Sequence, residues 1–234
     1  LVPLAEDFFF FNVFRYLTFR SGGAVITSLI ICFVFGPRVI EWLRSKQGEG
    51  QPIREDGPEG HLLTKKGTPT MGGVLILIAL TISTLLWADL TNRYVWCVIF
   101  VTVGFGGVGF IDDYLKLTKR SSEGLPGRLK LLIQVLISTG VALWISHIAP
   151  PEMDTHLAVP FFKSLLINLG IFFVPFAVFV MVGASNAVNL TDGLDGLAIV
   201  PVMIAASCFA LISYLVGNAF FAEYLQVHAV PGTG

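Results

Sequence analysis

The sequence predicts an all-α, polytopic membrane protein with about six transmembrane helices. Hydrophobic residues make up 54% of the 234 residues and Asp, Glu, Lys and Arg only 13%, whereas charged residues are about a quarter of a typical soluble domain. The mean hydropathy of +0.77 leaves too few polar side chains to cover a water-facing surface. The apolar residues occur in long runs without strand-type alternation, which favours helices over a membrane barrel. We therefore expect one integral membrane domain over residues 1–234, with the lipid bilayer as its solvent.

Six apolar stretches are long enough to be spans, since a helix needs about 20 residues to cross the hydrocarbon core. Aromatic side chains that suit a membrane interface, such as Trp87, Trp96 and Trp144, lie near predicted outer boundaries. The predicted spans are residues 22–40, 72–88, 94–111, 131–149, 165–182 and 197–216.

The basic residues predict the orientation of these spans. Only Arg15, Arg20, Arg93 and Lys163 fall on one side, and the other eleven Lys and Arg residues lie in or beside the segments that follow the first and third spans. Because cytoplasmic loops carry the excess of positive charge, we expect the N-terminus outside. The cytoplasmic loops are then residues 41–71, 112–130 and 183–196, although the last loop has no basic residue of its own.

Several other classes of site are not indicated. Cys32, Cys97 and Cys208 are far apart and form no C-x-x-C pair, so neither a disulfide framework nor a zinc site is expected. The run 104–109 matches G-x-G-x-x-G, but it lies inside a span with no strand before it, which favours helix packing over nucleotide binding. The net charge of -1 gives no indication of a nucleic-acid partner.

A pair of carboxylates lies at the predicted cytoplasmic end of the third span. Asp112 and Asp113 repel one another unless a cation or a shared proton relieves them. Lys116 is four residues after the first and three after the second, within helical reach of both. An ordinary charged helix terminus is the alternative interpretation.

A second polar run, NAVNLTDGLDG, covers residues 186–196. Asn189, Asp192 and Asp195 recur every three residues, which predicts one helical face. No Lys or Arg follows Lys163, so these carboxylates need a distant lysine, a metal ion or protonation. Carboxylate and amide oxygens suit Mg²⁺, while a helix N-cap is the structural alternative for Asp192.

The third run, KKGTPTMGG, covers residues 65–73. Lysines followed by hydroxyls and glycines directly before a helix can hold a phosphate through ammonium groups and free backbone N–H groups. A basic flank of a cytoplasmic loop explains the lysines equally well.

Together these motifs resemble one family of membrane enzymes. KKGTPTMGG, the Asp112–Asp113 pair in GFIDDYLK and NAVNLTDGLDGLA are similar to the cytoplasmic motifs of the phospho-N-acetylmuramoyl-pentapeptide transferases, the MraY translocases. NAVNLTDGLDGLA is typical of all polyprenyl-phosphate sugar-1-phosphate transferases, whereas KKGTPTMGG and residues 56–58 point to this family among them. The resemblance extends from about Phe11 to the last residue.

The resemblance implies a reaction and its residues. Phospho-MurNAc-pentapeptide would pass from UDP-MurNAc-pentapeptide to undecaprenyl phosphate with Mg²⁺, giving lipid I and UMP, the first membrane step of peptidoglycan synthesis. It also implies a homodimer in the bacterial inner membrane, a cytoplasmic active site and inhibition by uridine nucleosides. The implied catalytic residues are Asp112, Asp113 and Asp192; the metal ligands are Asp192 and Asn189; the substrate-binding residues are Lys65, Thr70, Lys116, Lys130, Asn186, Asn189, Gly193, Leu194 and Asp195, the last towards the uracil.

The sequence differs from the family in one respect, and three alternative functions were considered. The family has roughly ten spans, so its C-terminal part, with a further metal-binding Asp and a histidine-rich loop, is expected outside this sequence. A UDP-GlcNAc transferase acting on the same lipid is the nearest rival. An intramembrane prenyltransferase would show two D-x-x-x-D clusters, which Asp192 and Asp195 fit poorly. A cation transporter would place its carboxylates near span centres rather than at one end.

Overall fold

The computed structural model describes residues 9–47, 69–119, 124–159, 162, 165–191 and 197–233. Within these ranges most of the chain is helical. Short 3₁₀ turns cover Phe9–Arg15 and Gly170–Phe172. The α-helices are α1 (Leu17–Gln47), α2 (Gly73–Trp87), α3 (Arg93–Lys119), α4 (Gly127–Ile148), α5 (Phe173–Thr191), α6 (Ile199–Gly217) and α7 (Ala219–Leu225).

In the part of the chain that the structure describes, five helical segments are long and apolar enough to cross a membrane. They are α1, α3, α4, α5 with its preceding 3₁₀ turn, and α6. This confirms the predicted all-α, polytopic membrane fold. The helix expected over residues 72–88 is also present, but α2 has only 15 residues. At 1.5 Å per residue it is about 22 Å long, shorter than the hydrocarbon core of about 30 Å. Its role as a sixth span therefore stays a prediction.

The chain divides into two compact units, which are described separately. The first comprises residues 1–91 and 98–134, and the second comprises residues 92–97 and 135–234. The prediction of one membrane domain over residues 1–234 stays a prediction.

In the first unit, α1 and α2 pack against one another. The indole of Trp87 near the end of α2 donates a hydrogen bond to the Thr27 hydroxyl at 2.9 Å and stacks on Phe14, with ring centroids 5.5 Å apart. Elsewhere on α2, Leu77 lies so close to Gly106 of α3 that a Cβ atom there would be 2.7 Å from the leucine. The G-x-G-x-x-G run thus contributes to helix packing, as its place inside a span predicts.

The second unit contains a short antiparallel hairpin between α4 and α5, formed by β1 (His156–Ala158) and β2 (Leu166–Asn168). The prediction of a helix over residues 165–182 was therefore wrong at its start. Leu166 pairs with Ala158 in the hairpin, and Gly170 has a φ of +49° that an α-helix does not accommodate. Helix α5 consequently begins at Phe173.

The helices also extend into segments that the sequence assigned to loops. Helix α1 continues to Gln47, α3 to Lys119 and α5 to Thr191. Their last turns therefore carry polar residues that water or other protein groups must solvate. The site described below lies where α1 and α3 end and where α2 and α4 begin.

Candidate active site

The Asp112–Asp113–Lys116 cluster lies in the last turns of α3. Lys116 Nζ is 2.6 Å from Asp112 Oδ2 and 3.4 Å from Asp113 Oδ1. These contacts confirm that the lysine reaches both carboxylates, as i+4 and i+3 spacing on a helix predicts. All three side chains are largely shielded, with 16% of Asp112, 18% of Lys116 and 32% of Asp113 exposed. Asp113 is thus the more accessible of the two carboxylates.

The second oxygen of Asp112 is bound by the segment that leads into α4. The backbone N–H of Leu125 donates to Asp112 Oδ1 at 2.8 Å. This approach leaves no space for a Cβ atom at Gly124 unless a neighbouring side chain moves, because that atom would overlap the Asp112 carboxylate and lie 2.8 Å from Lys116 Cε. The carboxylate of Asp112 is therefore held on both sides, by an ammonium group and by a backbone amide.

Lys130, in the first turn of α4, adds positive charge to this cluster. It interacts favourably with Asp112 through space, and its own backbone N–H is bonded to the Pro126 carbonyl at 3.0 Å. Two carboxylates and two ammonium groups thus lie at the junction of α3 and α4. Such a cluster is locally neutral and has lysines that an added phosphate group would attract.

Thr70 brings the KKGTPTMGG segment to the same cluster. Its hydroxyl donates to Asp113 Oδ2 at 3.1 Å. Its backbone is bonded in turn to the side-chain amide of Gln47, the last residue of α1. Two of the three sequence motifs are therefore in direct contact, since Thr70 belongs to one and Asp113 to the other.

Asn186 and Asn189 lie three residues apart near the end of α5, in the second unit. The amide of Asn186 donates to the Val182 carbonyl at 2.9 Å, and Asn189 is exposed. Asn189 was predicted to share one helical face with Asp192 and Asp195. It lies on α5, which ends at Thr191. The remaining predicted site residues, Lys65, Asp192, Gly193, Leu194 and Asp195, lie outside the described residues. Their meeting with the aspartate pair stays a prediction.

Three residues of the cluster were not predicted from the sequence. Gln47, Gly124 and Leu125 make contacts that depend on how separate helix ends meet. The Gly-Leu-Pro-Gly run at 124–127 is a turn signal and could have indicated a tight approach to a neighbour. Nothing in the sequence around Gln47 sets it apart from the other polar residues at the end of α1.

Comparison with known proteins identifies the family of this chain. Residues 95–232, more than half of the chain, match the family described as glycosyl transferase family 4. The chain belongs to glycosyl transferase family 4. Within this family, residues 65–77 match the segment described as phospho-N-acetylmuramoyl-pentapeptide-transferase signature 1. That signature includes Thr70, which is bonded to Asp113.

Two curated relatives of this chain carry the name phospho-N-acetylmuramoyl-pentapeptide-transferase. The protein from Granulibacter bethesdensis is 63% identical over 232 residues, and that from Maricaulis maris is 58% identical over 237 residues. Each alignment covers 99% of this chain but only 64% and 65% of the respective relative. The chain thus spans less than two thirds of the length of these relatives.

Proposed function

We propose that the full-length protein transfers phospho-MurNAc-pentapeptide from UDP-MurNAc-pentapeptide to undecaprenyl phosphate, giving lipid I and UMP. The observation that carries this proposal is the Thr70–Asp113–Lys116–Asp112 cluster at the end of a membrane helix. It combines lysines that attract phosphate with carboxylates, and a helix end at the membrane interface is where we expect a lipid phosphate to present its head group. The names of the relatives and the signature that contains Thr70 support the choice of sugar nucleotide.

The reaction exchanges one phosphoanhydride bond for another. A phosphate oxygen of the lipid attacks the phosphorus that carries the sugar, a new P–O bond forms, and the bond to the bridging oxygen breaks so that UMP leaves. Such a transfer needs positioning and charge neutralisation more than covalent work by the protein. A carboxylate that attacks phosphorus first, in two steps, would give the same products.

The cluster suggests different roles for its members. Lys116 and Lys130 attract the lipid phosphate and offset the charge that develops as the bonds exchange. Asp113, the more exposed carboxylate, faces the reacting groups and is oriented by the Thr70 hydroxyl. Asp112 holds Lys116 in place, since its two oxygens bind the ammonium group and the Leu125 amide.

The residues also fit Mg²⁺ outside the aspartate pair. Between Asp112 and Asp113 the place of a cation is taken by the Lys116 ammonium group, and the described residues contain no group of three His, Cys, Asp or Glu suited to a metal. Asn189 instead presents an exposed amide three residues before Asp192, and oxygen donors of these types are the ligands that Mg²⁺ takes. We assign the metal to Asn189 and Asp192, where it would supply positive charge to the diphosphate. Asn186, one helical turn before Asn189, would support the same phosphates.

The remaining substrate contacts, the membrane and the assembly follow from the family resemblance. Lys65 would bind the diphosphate, and Gly193, Leu194 and Asp195 would bind the uridine. Uridine nucleosides would then inhibit the enzyme by occupying the same place. The site would lie on the cytoplasmic side of a bacterial inner membrane, with the N-terminus outside, because the last turns of α1 and α3 carry basic residues. We propose a homodimer as well.

Release of UMP by the purified full-length protein tests this function. We expect UMP and a lipid-linked sugar in equal amounts only when UDP-MurNAc-pentapeptide, undecaprenyl phosphate and Mg²⁺ are all present. UDP-GlcNAc in place of the first substrate is the control. If only UDP-GlcNAc were turned over, the protein would be the related UDP-GlcNAc transferase. If neither nucleotide gave UMP, the remaining alternatives would be a prenyltransferase and a transporter.

A further inference from the structure

Gln47 contacts the cluster but has no role in the proposed reaction. Its side-chain Nε2 donates to the Thr70 carbonyl at 3.0 Å, and its Oε1 accepts from the Thr70 backbone N–H at 2.8 Å. The two residues are 23 positions apart in sequence, and both contacts are partly buried. Both backbone polar groups of Thr70 are thus satisfied by a single side chain.

The segment that Gln47 binds is conformationally demanding. Met71, directly after Thr70, has a φ of +71°, a left-handed conformation that residues with a Cβ rarely adopt. Such a conformation persists only where surrounding contacts determine it. The two bonds from Gln47 to the Thr70 backbone, together with the bond from Thr70 to Asp113, can do so.

We propose that Gln47 is a positioning residue that acts through Thr70 on Asp113. The paired amide bonds fix the Thr70 backbone, the fixed backbone directs the Thr70 hydroxyl to Asp113 Oδ2, and that bond orients the carboxylate. The inference rests on the function proposed above. It requires glutamine in particular, because a glutamate at position 47 has no donor for the Thr70 carbonyl and an asparagine is one methylene shorter.

The test measures kcat, KM for undecaprenyl phosphate and the melting temperature of the full-length protein. The variants are Gln47→Ala, the nearly isosteric Gln47→Glu, Thr70→Val and the double variant Gln47→Ala with Thr70→Val. Ser45→Ala is the matched control for the helix end, since the Ser45 hydroxyl bonds to the Trp42 carbonyl of its own helix. Thr118→Val is the control for losing a hydroxyl near the site, since Thr118 bonds to backbone carbonyls of α3.

We expect both Gln47 variants to lower kcat about tenfold, the effect of losing one well-placed hydrogen bond to a charged group. The value of KM should stay within about twofold of the wild-type value, because ground-state binding is not the affected step. The double variant should be no slower than Thr70→Val, since Gln47 acts through that hydroxyl. Both controls should turn over at the wild-type rate.

Three results separate the possible failures. Wild-type kcat in Gln47→Glu, which keeps the size of the side chain, would overturn the inference. Effects of Gln47→Ala and Thr70→Val that multiply in the double variant would also overturn it, since the two residues would then act independently. An unmutated protein that releases no UMP would instead overturn the proposed function, on which this inference rests.

Discussion

Replacing Gly124 by alanine tests whether the approach of the α4 segment to Asp112 matters for turnover. In the structure, a Cβ atom at this position would overlap Asp112 Oδ1 and lie 2.8 Å from both Asp112 Cγ and Lys116 Cε. Ordinary contacts between such atoms begin near 3.4 Å. The alanine therefore has to displace the Asp112 carboxylate, the Lys116 side chain or the Leu125 backbone.

The size of the effect follows from the bonds that this displacement breaks. Asp112 would lose the Leu125 N–H bond of 2.8 Å or the Lys116 contact of 2.6 Å. A hydrogen bond to a charged group contributes about 1.5–3 kcal/mol. If that energy is lost from the transition state, kcat falls about 10- to 150-fold. The free energy of unfolding should change by less, because both side chains can rotate to relieve the overlap.

The matched control for this variant is Gly127→Ala. Gly127 is the first residue of α4, and a Cβ atom there would have no neighbour within 4 Å. Its alanine variant should turn over normally and be as stable as the wild type or slightly more stable, because alanine favours helix. UMP release and the melting temperature are measured for both variants in the full-length protein. Equal turnover of the Gly124→Ala and Gly127→Ala proteins would show that the close approach of residue 124 to Asp112 does not matter for turnover.

Three further predictions concern chemistry, metal and topology. We expect Asp113→Asn to lower kcat by orders of magnitude while UMP still binds, and Asp195→Ala to lose most UMP binding. Steady-state kinetics and direct UMP-binding measurements test this, and equal loss of UMP binding in both variants would contradict this division of roles. Asp192→Asn should abolish turnover without unfolding the protein, and a chelator should do the same to the wild type until Mg²⁺ is restored; near-normal turnover of the variant would reduce Asp192 to a helix cap. In a cysteine-free background and intact cells, an impermeant thiol reagent should label a cysteine placed at Thr155 but not one at Ser185, and labelling at Ser185 would contradict the orientation.

Hydropathy and helical spacing account for the parts of the structure that the sequence predicted. The apolar helices were predicted because each contains an apolar run long enough to cross the hydrocarbon core of a membrane. The Lys116 contacts with Asp112 and Asp113 were predicted because they occur within one helix, where sequence spacing determines which side chains meet.

The start of α5 and the contacts of Gln47 depend on information that spacing does not contain. An apolar run such as 165–172 suits a helix and a strand equally well. In the structure Leu166 pairs with Ala158, so the start of this run forms a strand. The bonds from Gln47 to Thr70 and from Leu125 to Asp112 join different helix ends, so they depend on tertiary packing. Hydropathy patterns do not reveal such pairings.

The most direct test of the central claim is the dependence of UMP release on undecaprenyl phosphate in the wild-type and Asp113→Asn proteins. We expect the full-length wild type to form UMP and lipid I in equal amounts only with the lipid phosphate present. We also expect the Asp113→Asn protein to be slower by orders of magnitude, because residue 113 then no longer offers a carboxylate to Thr70 and Lys116. Repeated turnover of UDP-MurNAc-pentapeptide to UMP without the lipid phosphate, or wild-type turnover in the Asp113→Asn protein, would contradict the proposed function.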